Sequence, residues 1–139
     1  MTEQQAGEQS GDAAERGMRV RREVLGDAHV DRAIASVTPV TEPFQDLITR
    51  YAWGEVWSRP GLSRAQRSII TLTALATLRQ DEELAMHVRG AVRNGLTPGQ
   101  ITEVLLQVAV YAGVPAARQA FAVAQRVLAE LAADPEQPA

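Results

Sequence analysis

Hydrophobic residues recur at helical spacing along almost the whole chain. In "EELAMHVRGAVRNG", Leu84, Ala85, Val88, Ala91 and Val92 share one face, and Glu82, Met86, Arg89 and Arg93 lie roughly opposite. Start and stop signals divide the chain into segments. A helix over 15–25 stops at Gly26, and a short one follows Asp27. Thr41 is placed to cap a helix with Pro43 near its start, which "SRPG" ends at 58–61. Ser63 with Gln66 and Thr97 with Gln100 form capping-box patterns that open helices near 63–78 and 97–112. Asp81 caps the His87 helix, "NG" at Asn94 and Gly95 ends it, and Pro115 starts a last helix running to about Ala132. No period-2 run of strand length occurs. The pattern predicts an all-α fold: a single-domain bundle of about six to seven helices over 14–132. A disordered leader (1–13) precedes it and a tail (133–139) follows.

The segment over 41–57 has a second feature. On a 3.6-residue wheel, Phe44, Leu47, Ile48 and Tyr51 make the core stripe, while Trp53 and Trp57 project from the far side beside Arg50. Two tryptophans so placed need cover, from another subunit or from a ligand groove. Glu55 falls on the apolar stripe, where a carboxylate would be partly desolvated.

Composition narrows the chemistry. The 139 residues, 45% of them hydrophobic, suit one packed core. No cysteine is present, which excludes disulfides, thiolate nucleophiles and sulfur-ligated metals. All 14 basic residues are arginine, so lysine Schiff-base chemistry is excluded as well. With His29 and His87 the only histidines and far apart in sequence, a metal site would need carboxylates to complete it, and no metal is expected. A net charge of −3 supplies no basic field for nucleic acid. No apolar run reaches the roughly 18 residues of a membrane span, and the start of the chain has no apolar signal core, so a soluble cytoplasmic protein is expected.

His87 is the main chemical candidate. Glu83 precedes it by one helical turn, and Gly90 and Asn94 continue the same strip, so a carboxylate, an imidazole and a notch without a side chain edge the core. Imidazole exchanges a proton near neutral pH, and a carboxylate one turn away can orient it. A structural hydrogen-bonding role is the alternative. Gln107 and Tyr111, also one turn apart, offer neutral donors to a groove or to a neighbouring helix.

The runs "GDAHVDRA", "AWGEVWSRPGL", "RSIITLTAL", "EELAMHVRGAVRNGLT" and "EVLLQVAVYAGVPAA", in this order from about Gly17 to Leu128, resemble the carboxymuconolactone decarboxylase family. The wider superfamily includes alkylhydroperoxidase D. This resemblance implies an alkylhydroperoxidase D-like helical fold and a homo-oligomer, a trimer or hexamer. The peroxidase branch resembles a Cys-x-x-Cys-x-x-x-His pattern. With its histidine aligned on His87, the thiol positions fall on Gln80 and Glu83, so the histidine frame is kept without its redox groups. Two positions depart from the decarboxylase pattern: Ala112, where Cys is frequent, and Arg118, where Asn often follows "PAA".

What the resemblance implies is cofactor-independent decarboxylation of 4-carboxymuconolactone to 3-oxoadipate enol-lactone in protocatechuate catabolism, with a lactone carboxylate as the small-molecule partner. Such a reaction asks for cations to hold two carboxylates and donors to meet a developing oxyanion. It also needs an acid to protonate carbon. On this reading His87 is the proton donor, Glu83 its orienting partner and Glu55 the reserve acid. Arg50, Arg59 and Arg67 are the carboxylate ligands, and Trp53, Trp57, Gln107 and Tyr111 line the site. The alternatives are an enzyme of the same frame acting on another lactone or a furanone, and a helical oligomeric binding protein without turnover.

Overall fold

The computed structural model describes residues 1–134. Among them are seven α-helices, one π-helix and no strand, in line with the all-α reading. The helices sort into two compact units divided between Leu62 and Ser63. No helix among the described residues is long and apolar enough to cross a membrane. The predicted tail lies outside the described residues from position 135 on.

The first unit contains α1 (Glu3–Leu25), α2 (Asp27–Ala35) and α3 (Glu42–Ile48), which runs directly into the π-helix (Thr49–Trp57). α1 begins at Glu3, inside the stretch read as a leader. Thr2 and Gln5 form a capping box there, the Thr2 hydroxyl accepting from the Gln5 amide and the Gln5 side chain from the Thr2 amide. Its buried positions, Ala13, Gly17, Val20, Arg21 and Val24, follow helical spacing and face the π-helix. The two helices touch backbone to backbone. A Cβ on Gly17 would stand 1.9 Å from the Thr49 carbonyl oxygen, and one on Gly54 2.3 Å from that of Ala13.

This contact overturns the predicted orientation of 41–57. Trp53 is buried at 6% exposed and Trp57 half-buried, whereas Phe44, Leu47 and Tyr51 are exposed, Tyr51 at 63%. Two physical causes act together. Small residues, not the largest apolar ones, select the side that can approach α1, so Thr49 and Gly54 face inward. The i→i+5 bonding of a π-helix then widens the turn, and a 3.6-residue wheel no longer tracks its faces. Glu55, expected on a desolvated stripe, is exposed and paired with Arg16 at 3.5 Å. Thr41 does not cap α3 with its side chain; its hydroxyl accepts from the Thr38 amide at 2.9 Å and serves the preceding turn.

The second unit packs α4 (Arg64–Thr77), α5 (Asp81–Arg93), α6 (Pro98–Ala112) and α7 (Val114–Ala133) around Leu72, Leu84, Val88, Ile101, Leu105 and Val127. Both predicted capping boxes form, at Ser63/Gln66 and Thr97/Gln100. Gln80, not Asp81, is the N-cap of α5. Asp81 sits one residue into the helix, where its carboxylate suits the positive helix end and accepts from Gln119 Nε2 at 2.8 Å on each oxygen. α5 ends at Asn94, and Gly95 takes φ 98°, a conformation open to glycine at little cost.

Gly17→Ala is expected to destabilise the protein by at least about 1–3 kcal/mol, the usual cost of overpacking where backbone must yield. Gly61→Ala, with nothing within 4 Å of the new methyl, is the control. Urea unfolding with equal midpoints for the two variants would contradict the close crossing.

Candidate active site

α5 places His87 at a defined depth. Leu84, Val88 and Ala91 anchor the helix in the core, and His87, on the flank of that face, is 8% exposed with Nδ1 shut off from solvent. Gly90 and Asn94 follow on the same strip, Gly90 buried and Asn94 half-buried. Asn94 Nδ2 donates to Ser68 Oγ at 2.8 Å, which ties the end of this strip to α4. Ser68 is itself fully buried, and Arg67 beside it has Nε screened from water. Glu83, by contrast, is exposed, and its side chain makes no hydrogen bond or ion pair among the described residues.

Gln107 and Tyr111 do lie together. With Ile69, Thr73, Thr77 and Glu103 they line a cavity of about 540 Å³ between α4 and α6. Its walls offer apolar area, hydroxyls, amides and one carboxylate, but no cation, and His87 is not among its lining residues. It can orient a neutral or apolar group through hydrogen bonds, and it offers no ion pair to a carboxylate.

The remaining candidates belong to the first unit. Trp53 and Trp57 stack, with ring centroids 5.1 Å apart and planes 29° from parallel, the one buried and the other half-buried. Arg50 donates to Asp46 Oδ2 through Nε at 3.0 Å and Nη2 at 2.8 Å, a partly exposed pair that holds its guanidinium above the usual arginine range, chiefly through these hydrogen bonds. Arg59 is exposed at the end of the π-helix. Among the described residues no group of three or more His, Asp or Glu side chains is placed to hold a metal ion.

One group missed by sequence reasoning is Arg21. It lies on the buried face of α1 at 6% exposed, donating to Thr49 Oγ1 at 3.4 Å and Gln45 Oε1 at 3.1 Å. Burial, and secondarily the charge of Arg22, holds its pKa below the ordinary arginine value. Its spacing from Ala13, Gly17 and Val24 is the signal that could have revealed it.

With helices, histidine and arginines so placed, comparison with known proteins is informative. The sequence profile of the carboxymuconolactone decarboxylase family matches residues 42–126, more than half of the chain. The chain belongs to this family. A 4-carboxymuconolactone decarboxylase of Acinetobacter baylyi is 43% identical over 120 residues, 86% of this chain and 90% of its own length. The nitrosuccinic acid decarboxylase npaB of Metarhizium robertsii is 44% identical over 115 residues, 83% and 80% of the two chains. A Pseudomonas putida 4-carboxymuconolactone decarboxylase is 54% identical over 39 residues, 28% of this chain and 81% of its own length. The region matched by the family runs from the start of α3 into α7, so His87, both tryptophans and every arginine candidate but Arg21 fall inside it.

Stacked aromatic pairs contribute about 0.5–1.5 kcal/mol beyond the area they bury. A double-mutant cycle with Trp53→Leu and Trp57→Leu is expected to return a coupling in that range by urea unfolding. Additive effects of the two substitutions would contradict the stacked geometry.

Proposed function

We propose that this protein is a carboxy-lyase that decarboxylates 4-carboxymuconolactone to the enol-lactone of 3-oxoadipate without a cofactor, in protocatechuate catabolism. The observation that carries the reading is 43% identity with a 4-carboxymuconolactone decarboxylase over nearly the full length of both chains. The substrate supplies its own electron sink. As the bond to the departing carboxylate breaks, its electron pair moves through the ring double bond to the lactone carbonyl oxygen. A proton delivered to the ring carbon beside that carbonyl completes the reaction.

The protein then has three tasks: to hold the carboxylates, to stabilise the dienolate oxygen, and to supply one proton. His87 supplies the proton. Its burial in α5 supports this role, because a donor screened from water is fixed in direction. Glu83, one turn before it in the same helix, is assigned to orient it once substrate is bound, and Glu55 is the reserve acid. Arg50, Arg59 and Arg67 serve the carboxylates, Trp53 and Trp57 the ring faces, and Gln107 and Tyr111 the neutral oxygen atoms. The working form is a homo-oligomer, a trimer or hexamer, in the cytoplasm. Support for assembly comes from exposed apolar side chains in each unit, Phe44 and Tyr51 in the first and Ile70, Leu78, Val110 and Tyr111 in the second.

A second substrate has a specific observation behind it. The nitrosuccinic acid decarboxylase is 44% identical to this chain, as near as the lactone enzyme. In nitrosuccinate the nitro group takes the electron pair, so the same division of labour applies. Carbon dioxide release from each acid, against a protein-free blank, decides between them. Turnover above about 1 s⁻¹ is expected with the lactone, generated in situ from 3-carboxy-cis,cis-muconate, and little with nitrosuccinate. The reverse ranking would move the assignment to the nitro acid. Release from neither would overturn both.

His87→Gln is expected to keep the fold while lowering turnover by about 10²-fold or more, the usual worth of a positioned acid. Wild-type turnover in the folded variant would make His87 a structural residue.

A further inference from the structure

Arg21 is a buried cation without a counter-ion. It is 6% exposed, and among the described residues no carboxylate lies within ion-pair distance of it. Acids of the first unit are paired with other arginines: Asp46 with Arg50, Glu55 with Arg16, and Asp27 and Asp31 with Arg22. A guanidinium stays charged even where burial disfavours it, so the first unit bears an uncompensated charge in a poorly hydrated place.

The arrangement of its donors is informative. Nη1 meets Thr49 Oγ1, whose own hydroxyl is turned to the Gln45 carbonyl at 2.8 Å. Nη2 meets only Gln45 Oε1, and Nε, closed to solvent, has no acceptor. Carboxylates bind arginine best side-on, one oxygen on Nε and the other on Nη2. Of those two nitrogens, Nη2 is met by Gln45 Oε1 and Nε by no acceptor. A neutral amide oxygen is the weaker acceptor, and Gln45 is half-buried, so its side chain is the one a carboxylate would have to displace.

We infer that Arg21 is a receptor for one carboxylate of a small dicarboxylic acid, which displaces Gln45 from the Nε–Nη2 edge. For the identity of the acid this rests on the decarboxylase reading. 4-Carboxymuconolactone and nitrosuccinic acid share a succinate frame in which one carboxylate leaves and the other is retained. Arg21 suits the retained group. A strong ion pair with the departing carboxylate would stabilise the ground state and raise the barrier, whereas the retained group keeps its charge throughout.

Succinate, which has the frame but no electron sink, is the probe, titrated calorimetrically into the full-length protein and three variants. Wild type is expected to bind it. Gln45→Ala removes the internal competitor and should tighten binding several-fold. Gln45→Glu puts a carboxylate on the fork and should abolish binding while raising the unfolding temperature. Arg21→Gln should weaken binding about tenfold or more, the usual loss for a charge-assisted pair. No binding by either wild type or Gln45→Ala would overturn the inference, as would affinity indifferent to Arg21. A change of sedimentation in Arg21→Gln without succinate binding would assign the counter-ion to a second copy of the chain, and overturn it too. The readout is binding, so absence of carbon dioxide release would sink the decarboxylase reading and leave this result standing.

Discussion

The Thr49 carbonyl oxygen occupies the space a side chain on residue 17 would need, and the Ala13 carbonyl does the same at residue 54. Most of the first unit follows from that crossing. With the backbones in contact, the inward side of the second helix must be built around Thr49 and Gly54, and Tyr51 and Val56 turn outward. The wider π-helical turn brings Trp53 to the same inward side, where Trp57 stacks on it. Arg16 reinforces the crossing, donating from Nε to the Gly54 carbonyl at 2.8 Å. Arg21 is fixed by the same geometry one turn beyond Gly17, with its donors directed at the junction where α-helical bonding gives way to π.

The second unit solves a different problem. Four helices enclose an aliphatic core, and Asn94 pairs with Ser68 across the α4–α5 seam. His87 borders that core, held by the neighbours that bury α5. A side chain so held loses little orientational freedom when a substrate arrives, which is what proton delivery to carbon requires. The proposed chemistry asks little else of the protein, because the electron sink belongs to the substrate. That division explains how a chain without cysteine or lysine can be a carbon–carbon lyase. It also explains how relatives with similar identities to this chain can have sinks as unlike as a lactone and a nitro group.

Local signals in the sequence were the most informative. Capping boxes at Ser63 and Thr97, glycines at 26 and 95, and the apolar face of α5 are short-range features, and the helices begin and end where they indicate. The same capping pattern at Thr2 and Gln5 lay in a polar stretch whose composition suggested a leader, so α1 starts earlier than expected. Trp53 was misplaced because its facing depends on a partner helix and on a bonding register that 3.6-residue periodicity does not contain. His87 was legible as a flank residue, since its depth follows from its own helix. The burial of Arg21 shows in the sequence only as its helical spacing from Ala13, Gly17 and Val24, since thirteen other arginines share its chemistry.

In the proposed reaction the protein, not the solvent, places the proton on carbon. Turnover of carboxymuconolactone in deuterium oxide, with the product analysed by NMR in a chiral environment, tests it directly. One deuterium on a single face of the carbon beside the lactone carbonyl is predicted for the wild-type protein. Equal labelling of both faces would mean that the dienolate is protonated by water after release, and would contradict the account.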